Sequence, residues 1–230
     1  MNFEAAITDY VKSHIKSLDT DYQWKISLKD IPVDIEFKDE SLLNKNIYLR
    51  KVLHDNLKQA TPAQRLKIIT WYISVWGGVR RNAPEKLALF ASATPAALIS
   101  RGVKGIASWS KALSVVAPDS YAIFDARVSS SLNSIQILYK VSDPRYFPDI
   151  PSRNNTIKAA QRSAKKMYKK NWEQARNETL YSQCNALFQR IAVQIGNGVT
   201  LQMVEMVLFA RAELVANDWM LEPITQSRES

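Results

Sequence analysis

Asp125 and Lys111 are the residues from which a reaction can be built in this 230-residue chain. Asp125 stands directly before Ala126-Arg127-Val128-Ser129-Ser130-Ser131-Leu132-Asn133, the place of a helix N-cap. A carboxylate fixed there stays ionised and keeps its direction, which suits it to stabilise a developing oxocarbenium ion or to orient a nucleophile. The plainer reading is a capping aspartate and nothing more. Lys111 lies inside the preceding apolar helical stretch. Desolvation there would lower its pKa and make its amine a better nucleophile. Its plainer reading is a solvated surface lysine. Ahead of both, Gly102-Val103-Lys104-Gly105 reads as a tight turn between helices. Its two glycines tolerate positive φ and leave backbone N–H groups unshielded, an arrangement that can hold a phosphate at the start of the next helix.

The elements that carry these residues are helical. Phe3, Ile7, Tyr10, Val11, Ile15 and Leu18 recur at helical spacing. Thr61-Pro62, Ala83-Pro84 and Thr94-Pro95 each place proline at a first helical position, twice after a capping threonine. Gly77-Gly78, Gly102 and Gly196 mark helix ends. A last helix is expected from about Leu201 to Val215, with Met203, Met206, Val207, Phe209 and Ala210 in the core. Val33, Ile35 and Phe37 alternate with Asp34, Glu36 and Lys38, the period of a short half-buried strand. The pattern therefore predicts an all-α globule with a minor N-terminal β segment.

The order of turn, helix, apolar run Tyr121-Ala122-Ile123-Phe124, aspartate and helix resembles the helix-hairpin-helix DNA glycosylase superfamily, which includes endonuclease III, the adenine glycosylase and the 8-oxoguanine glycosylases. Trp76-Gly77-Gly78-Val79-Arg80-Arg81-Asn82, Ser110-Lys111-Ala112-Leu113 and Val204-Glu205-Met206-Val207-Leu208-Phe209 extend the likeness to divergent bacterial 8-oxoguanine-glycosylase-fold proteins, some associated with defence against phage. The resemblance implies a two-lobed fold: residues 1–60 an N-terminal helix and short β segment on the main body, 61–220 the glycosylase-like domain, 221–230 a frayed tail. It implies base excision with Asp125 as the catalytic carboxylate, and the Ser-Lys pair of archaeal members makes Lys111 the second-choice nucleophile. Two departures stand out. Gly102 and Gly105 are separated by two residues where the family usually has one, and Ile106 occupies the usual place of the Schiff-base lysine.

The formal charge is +9, yet the first 45 residues hold nine acids against six bases, so the whole positive excess lies downstream. That balance points to a polyanionic partner, most commonly DNA or RNA, and the resemblance implies duplex DNA. Lys158, Arg162, Lys165, Lys166 and Lys169 fall on one helical face, opposite Ile157, Ala160, Ala164, Met167, Tyr168 and Trp172. Such a face supplies salt-dependent, sequence-independent affinity, unless it is only solvated. Gly102, Lys104, Gly105, Arg80, Arg81 and Arg127 complete the expected DNA contacts. For stacking an extruded base, Trp71, Trp76, Trp109, Tyr121, Phe124 and Trp172 are candidates by type. One cysteine, Cys184, excludes an intrachain disulfide and suits a reducing cytoplasm. With two histidines, no metal or other cofactor is expected. No apolar run of about 18 residues suggests a membrane span, and a monomer is favoured. The expectation is thus a DNA glycosylase. Its rivals are a non-catalytic helix-hairpin-helix DNA-binding module and a basic helical domain that meets an acidic protein.

Overall fold

The computed structural model describes residues 1–221 and is mostly helical. Local signals set most helix starts. Asn2, Ser41 and Thr61 accept backbone N–H groups at the heads of α1 (Phe3–His14), α3 (Leu42–Gln59) and α4 (Pro62–Trp71). Thr61 and Gln64 form a reciprocal capping box. Pro84 and Pro95 open α5 (Pro84–Ser92) and α6 (Pro95–Ile99), as their locked φ favours. A 3-10 turn (Ile15–Ser17) and the short α2 (Leu18–Asp21) follow α1. After the Gly102 turn come α7 (Ile106–Val116), α8 (Ala126–Leu138), α9 (Asn155–Met167), α10 (Leu180–Ile195), α11 (Leu201–Ala210) and α12 (Ala212–Leu221). Among the described residues no helix is long and apolar enough to cross a membrane.

Helix α8 lies at the centre, packed by α1, α9, α11 and α12. Its face toward them is rich in buried small polar residues, and most of these side chains bond to backbone carbonyls. Ser129 donates to Pro148, Ser131 to Leu208, and Asn133 to Phe147. The small serines let neighbouring helices approach closely, and hydrogen bonding offsets the cost of burying most of these polar groups, the buried Ser130 hydroxyl being without a partner among the described residues.

Three expectations are corrected. Val33, Ile35 and Phe37 do lie inward of Asp34, Glu36 and Lys38, but no strand forms there. The alternation records which side meets the core. It does not supply a partner backbone, and a ladder needs one. The only β pairing among the described residues is parallel and two residues long, β1 (Arg145–Tyr146) with β2 (Glu173–Gln174). The last helix is two helices broken at Arg211, whose guanidinium reaches Asp21 at 2.8 Å. The basic helix ends at Met167, so Lys169 and Trp172 stand beyond it. The expected frayed tail lies outside the described residues, apart from Leu221, which ends α12.

Candidate active site

The site begins with a turn. After Trp71 the α4 ladder widens into a π-helical turn, Tyr72–Trp76, closed by the Gly77 N–H donating to the Tyr72 carbonyl at 2.9 Å. Such inserted residues often accompany functional sites. The turn brings Gly77 against α7. A Cβ built on Gly77 would lie 2.7 Å from both Cδ and Cε of Lys111 and 2.8 Å from the Ile73 carbonyl. Gly77 is therefore more than a helix stop: its missing side chain is the slot through which the Lys111 stem passes.

Lys111 is 4 % exposed, so the solvated-surface reading does not hold. Its Nζ donates to the Ala107 carbonyl at 2.9 Å and lies 3.7 Å from Asp125 Oδ2, an ion contact too long for a hydrogen bond. Burial pushes the amine below its ordinary pKa, partly offset by the negative charges of Asp125 and Glu205. Lys111 lies five residues beyond Ile106, and its place on α7 brings it to the aspartate. Asp125 does two things at once. Its Oδ1 accepts the N–H groups of Arg127 and Val128 at 2.9 and 3.3 Å, capping α8, while Oδ2 faces Lys111.

Around this pair the cleft is lined by Tyr22, Trp24, Trp76, Ile123, Glu205 and Phe209. Trp24 meets Phe209 edge-on with centroids 5.3 Å apart, and its Nε1 donates to the Trp76 carbonyl at 3.1 Å. Glu205 is fully buried and pairs with the equally buried Arg50 at 2.8 Å. Burial raises the Glu205 pKa, against the pull of Arg50. Arg50 also donates to the Tyr72 hydroxyl and lies over the Trp76 ring. Free space in the cleft is only about 20 Å³, room for about one water.

Most of the expected stacking residues are elsewhere. Trp71, Trp109 and Phe124 are core, Tyr121 packs beside Tyr181, and Trp172 packs on Tyr168; only Trp76 reaches the cleft. Phe209, expected in the core, lines it. Glu205, Arg50, Tyr22, Trp24 and the steric role of Gly77 were missed by sequence reasoning. An acid inside the apolar run Val204–Phe209 was the available signal for Glu205.

The hairpin is more closed than expected. Gly102 and Gly105 adopt φ of 56° and 77°, which glycine allows without strain. Gly102, however, is buried against the Asn177 side chain, and the Val103 N–H donates to Asn177 Oδ1 at 2.7 Å. The N–H groups of Gly102 and Lys104 donate to Ile99 and Arg101 carbonyls. An open phosphate cradle is therefore not what the turn presents in this state. Lys104, Arg80 and Arg81 are exposed. Asn82 donates to Ser108 Oγ at 3.0 Å, holding the arginine loop against the head of α7. Arg153, another residue the sequence did not single out, donates to the Gly78 carbonyl and links this rim to the approach to α9. Arg127 is engaged by Glu213 at 2.6 Å and lies over Phe209. On α9, Lys158 is half-buried while Arg162, Lys165 and Lys166 are exposed. Lys169, also exposed, lies over the Tyr146 ring. No group of acids, histidines and cysteine fit to hold a metal occurs among the described residues. No protein family, curated protein or solved structure matches the chain, so the chemistry of its cleft rests on the geometry above.

Proposed function

We propose that the chain is a DNA glycosylase that cleaves the N-glycosidic bond of a damaged or modified base drawn out of duplex DNA. The observation that carries this reading is the buried Lys111 facing the helix-capping Asp125 at 3.7 Å in an aromatic-lined cleft. The carboxylate supports positive charge developing at the sugar as the base departs. A neutral Lys111 amine is placed to attack the anomeric carbon. The C–N bond to the base breaks, and the proton that the attacking amine sheds passes by way of Asp125 or solvent to the departing base. Cleavage of the sugar ring C–O bond, its oxygen taking up the remaining amine proton, then yields an imine, the route to strand cleavage. Arg80, Arg81, Lys104 and Arg153 border the region tied to the cleft, and the α9 face extends the cationic surface for the phosphate backbone.

A base does not fit a space of about 20 Å³. On this reading it enters by displacing Trp24, a half-buried side chain on the segment between α2 and α3, which lacks helix or strand. The narrowness of the cleft also favours a second reading, a DNA-binding module without catalysis.

The test is base release from duplexes carrying damaged and phage-modified bases, with products read before and after alkali and with borohydride trapping. Wild type releases base, Asp125→Asn does not, and Lys111→Ala loses both trapping and any nick formed before alkali. Retention of release by Lys111→Ala assigns the attack to water. Tight DNA binding with no release from any duplex selects the module.

A further inference from the structure

We propose that Ser110 is the positioning residue that holds Asp125 against Lys111; this rests on the glycosylase reading above. The run from Ala122 to Phe124 that delivers Asp125 has no strand partner. Side chains of helices take the place of one. Asn185 Oδ1 accepts the Ala122 N–H at 2.7 Å, and the Tyr181 hydroxyl donates to the Ala122 carbonyl at 2.8 Å. One residue before the aspartate, Ser110 Oγ accepts the Phe124 N–H at 3.0 Å and donates to the Phe124 carbonyl at 3.3 Å. A single hydroxyl thus clasps both polar groups of that residue.

Ser110 is wholly buried and adjoins Lys111 on α7. The same helix therefore sets both members of the reacting pair, Lys111 directly and Asp125 through the Phe124 backbone. Asp125 is held from its other side by the α8 amides. Without the hydroxyl, the Phe124 N–H and carbonyl lose the partner that water cannot replace. The carboxylate is then anchored at one end only.

The experiment compares wild type with Ser110→Ala and Ser110→Thr by two readouts. The first is the rate of base release. The second is the titration of the Lys111 ε-CH2 signal in 13C-lysine-labelled protein, assigned by its loss in Lys111→Met. Ser110→Ala is expected to lower kcat about 10-fold with little change in KM, a fraction of the ~100-fold that a misplacement of about 1 Å costs. It is also expected to lower the Lys111 midpoint, because a retreating carboxylate supports the ammonium less. Threonine, which keeps the hydroxyl, restores both. Should alanine not fold, Ser110→Cys, nearly isosteric but a poor hydrogen-bonding partner, gives the same comparison. An unmoved midpoint in the folded variant overturns the proposal, whatever the rate does. If wild type releases no base, the glycosylase reading falls, and the titration still decides whether Ser110 positions the pair.

Discussion

Lys111 and Lys165 each stand 3.7 Å from an aspartate, Asp125 and Asp149, and the two pairs have little else in common. The Lys111 side chain is 6 % exposed and that of Lys165 is 59 %. At the surface, water and salt screen the pair and the side chain keeps its entropy, so the contact contributes little. In the cleft the same separation works against a large desolvation cost, which burial imposes on the ammonium and which its neighbours only partly offset. Distance alone does not tell a desolvated lysine from a solvated one. The surrounding dielectric does, and for Lys111 it is created by the stem's passage beneath Gly77 and by the aromatic lining.

The largest effect expected is on the buried cation and anion that flank the cleft. Glu205→Ala leaves Arg50 charged and unpaired, and should cost about 3–5 kcal/mol in chemical denaturation. The double change Arg50→Met with Glu205→Leu should recover most of that loss. Glu205→Ala at wild-type stability would show that the interior is far wetter than its burial indicates.

Next comes the slot. Gly77→Ala is expected to cost about 1–3 kcal/mol by overpacking and to expel the Lys111 stem, abolishing borohydride trapping on an abasic duplex. Trapping at the wild-type rate would mean that the stem has another path.

The two lysines then separate by sign. Lys111→Met should raise stability at neutral pH by about 1 kcal/mol, the gain commonly available where function has kept a costly residue, while Lys165→Met should stay within about 0.5 kcal/mol of wild type. Thermal melts of both variants check this, and destabilisation by Lys111→Met would reverse the comparison. On the proposed DNA-binding reading the roles exchange. Lys165→Met should lower the slope of log affinity against log salt by about 1, and Lys111→Met should leave it unchanged.

The smallest signal is in pH. The folded-state pKa of Lys111 is depressed, so between that value and 10.5 the unfolded chain binds more protons and stability rises with pH. Glu205 has a raised folded pKa, so stability conferred by its protonation is present below 4.5 and is lost as pH rises through the folded value. Imine trapping needs the neutral amine and should reach half its maximum below pH 10.5. A midpoint at or above that value would remove the case for an activated lysine.

What the sequence revealed was what local chemistry decides. Proline at N1, threonine at the cap and glycine at the stop act within one helical turn, and the helices at Pro62, Pro84 and Pro95 formed where those signals stood. Asp125 was legible as a cap for the same reason. The cleft was not, because Tyr22, Trp24, Arg50, Gly77 and Glu205 meet only through tertiary packing. The alternation of Val33, Ile35 and Phe37 reported burial correctly and secondary structure wrongly, since burial needs a core and a strand needs a partner.

The π-helical turn at Tyr72–Trp76 makes the cleft a matter of phase. An α-helix advances about 100° per residue, and a π turn accommodates one residue more than the ladder around it. Removing one residue from this turn would restore a regular helix with little loss of backbone hydrogen bonding. It would also rotate Trp76 and Gly77 by roughly a quarter of a turn and set a different residue over the Lys111 stem. In lineages of this chain, single-residue insertions and deletions here should therefore track the presence of the lysine more closely than substitutions do.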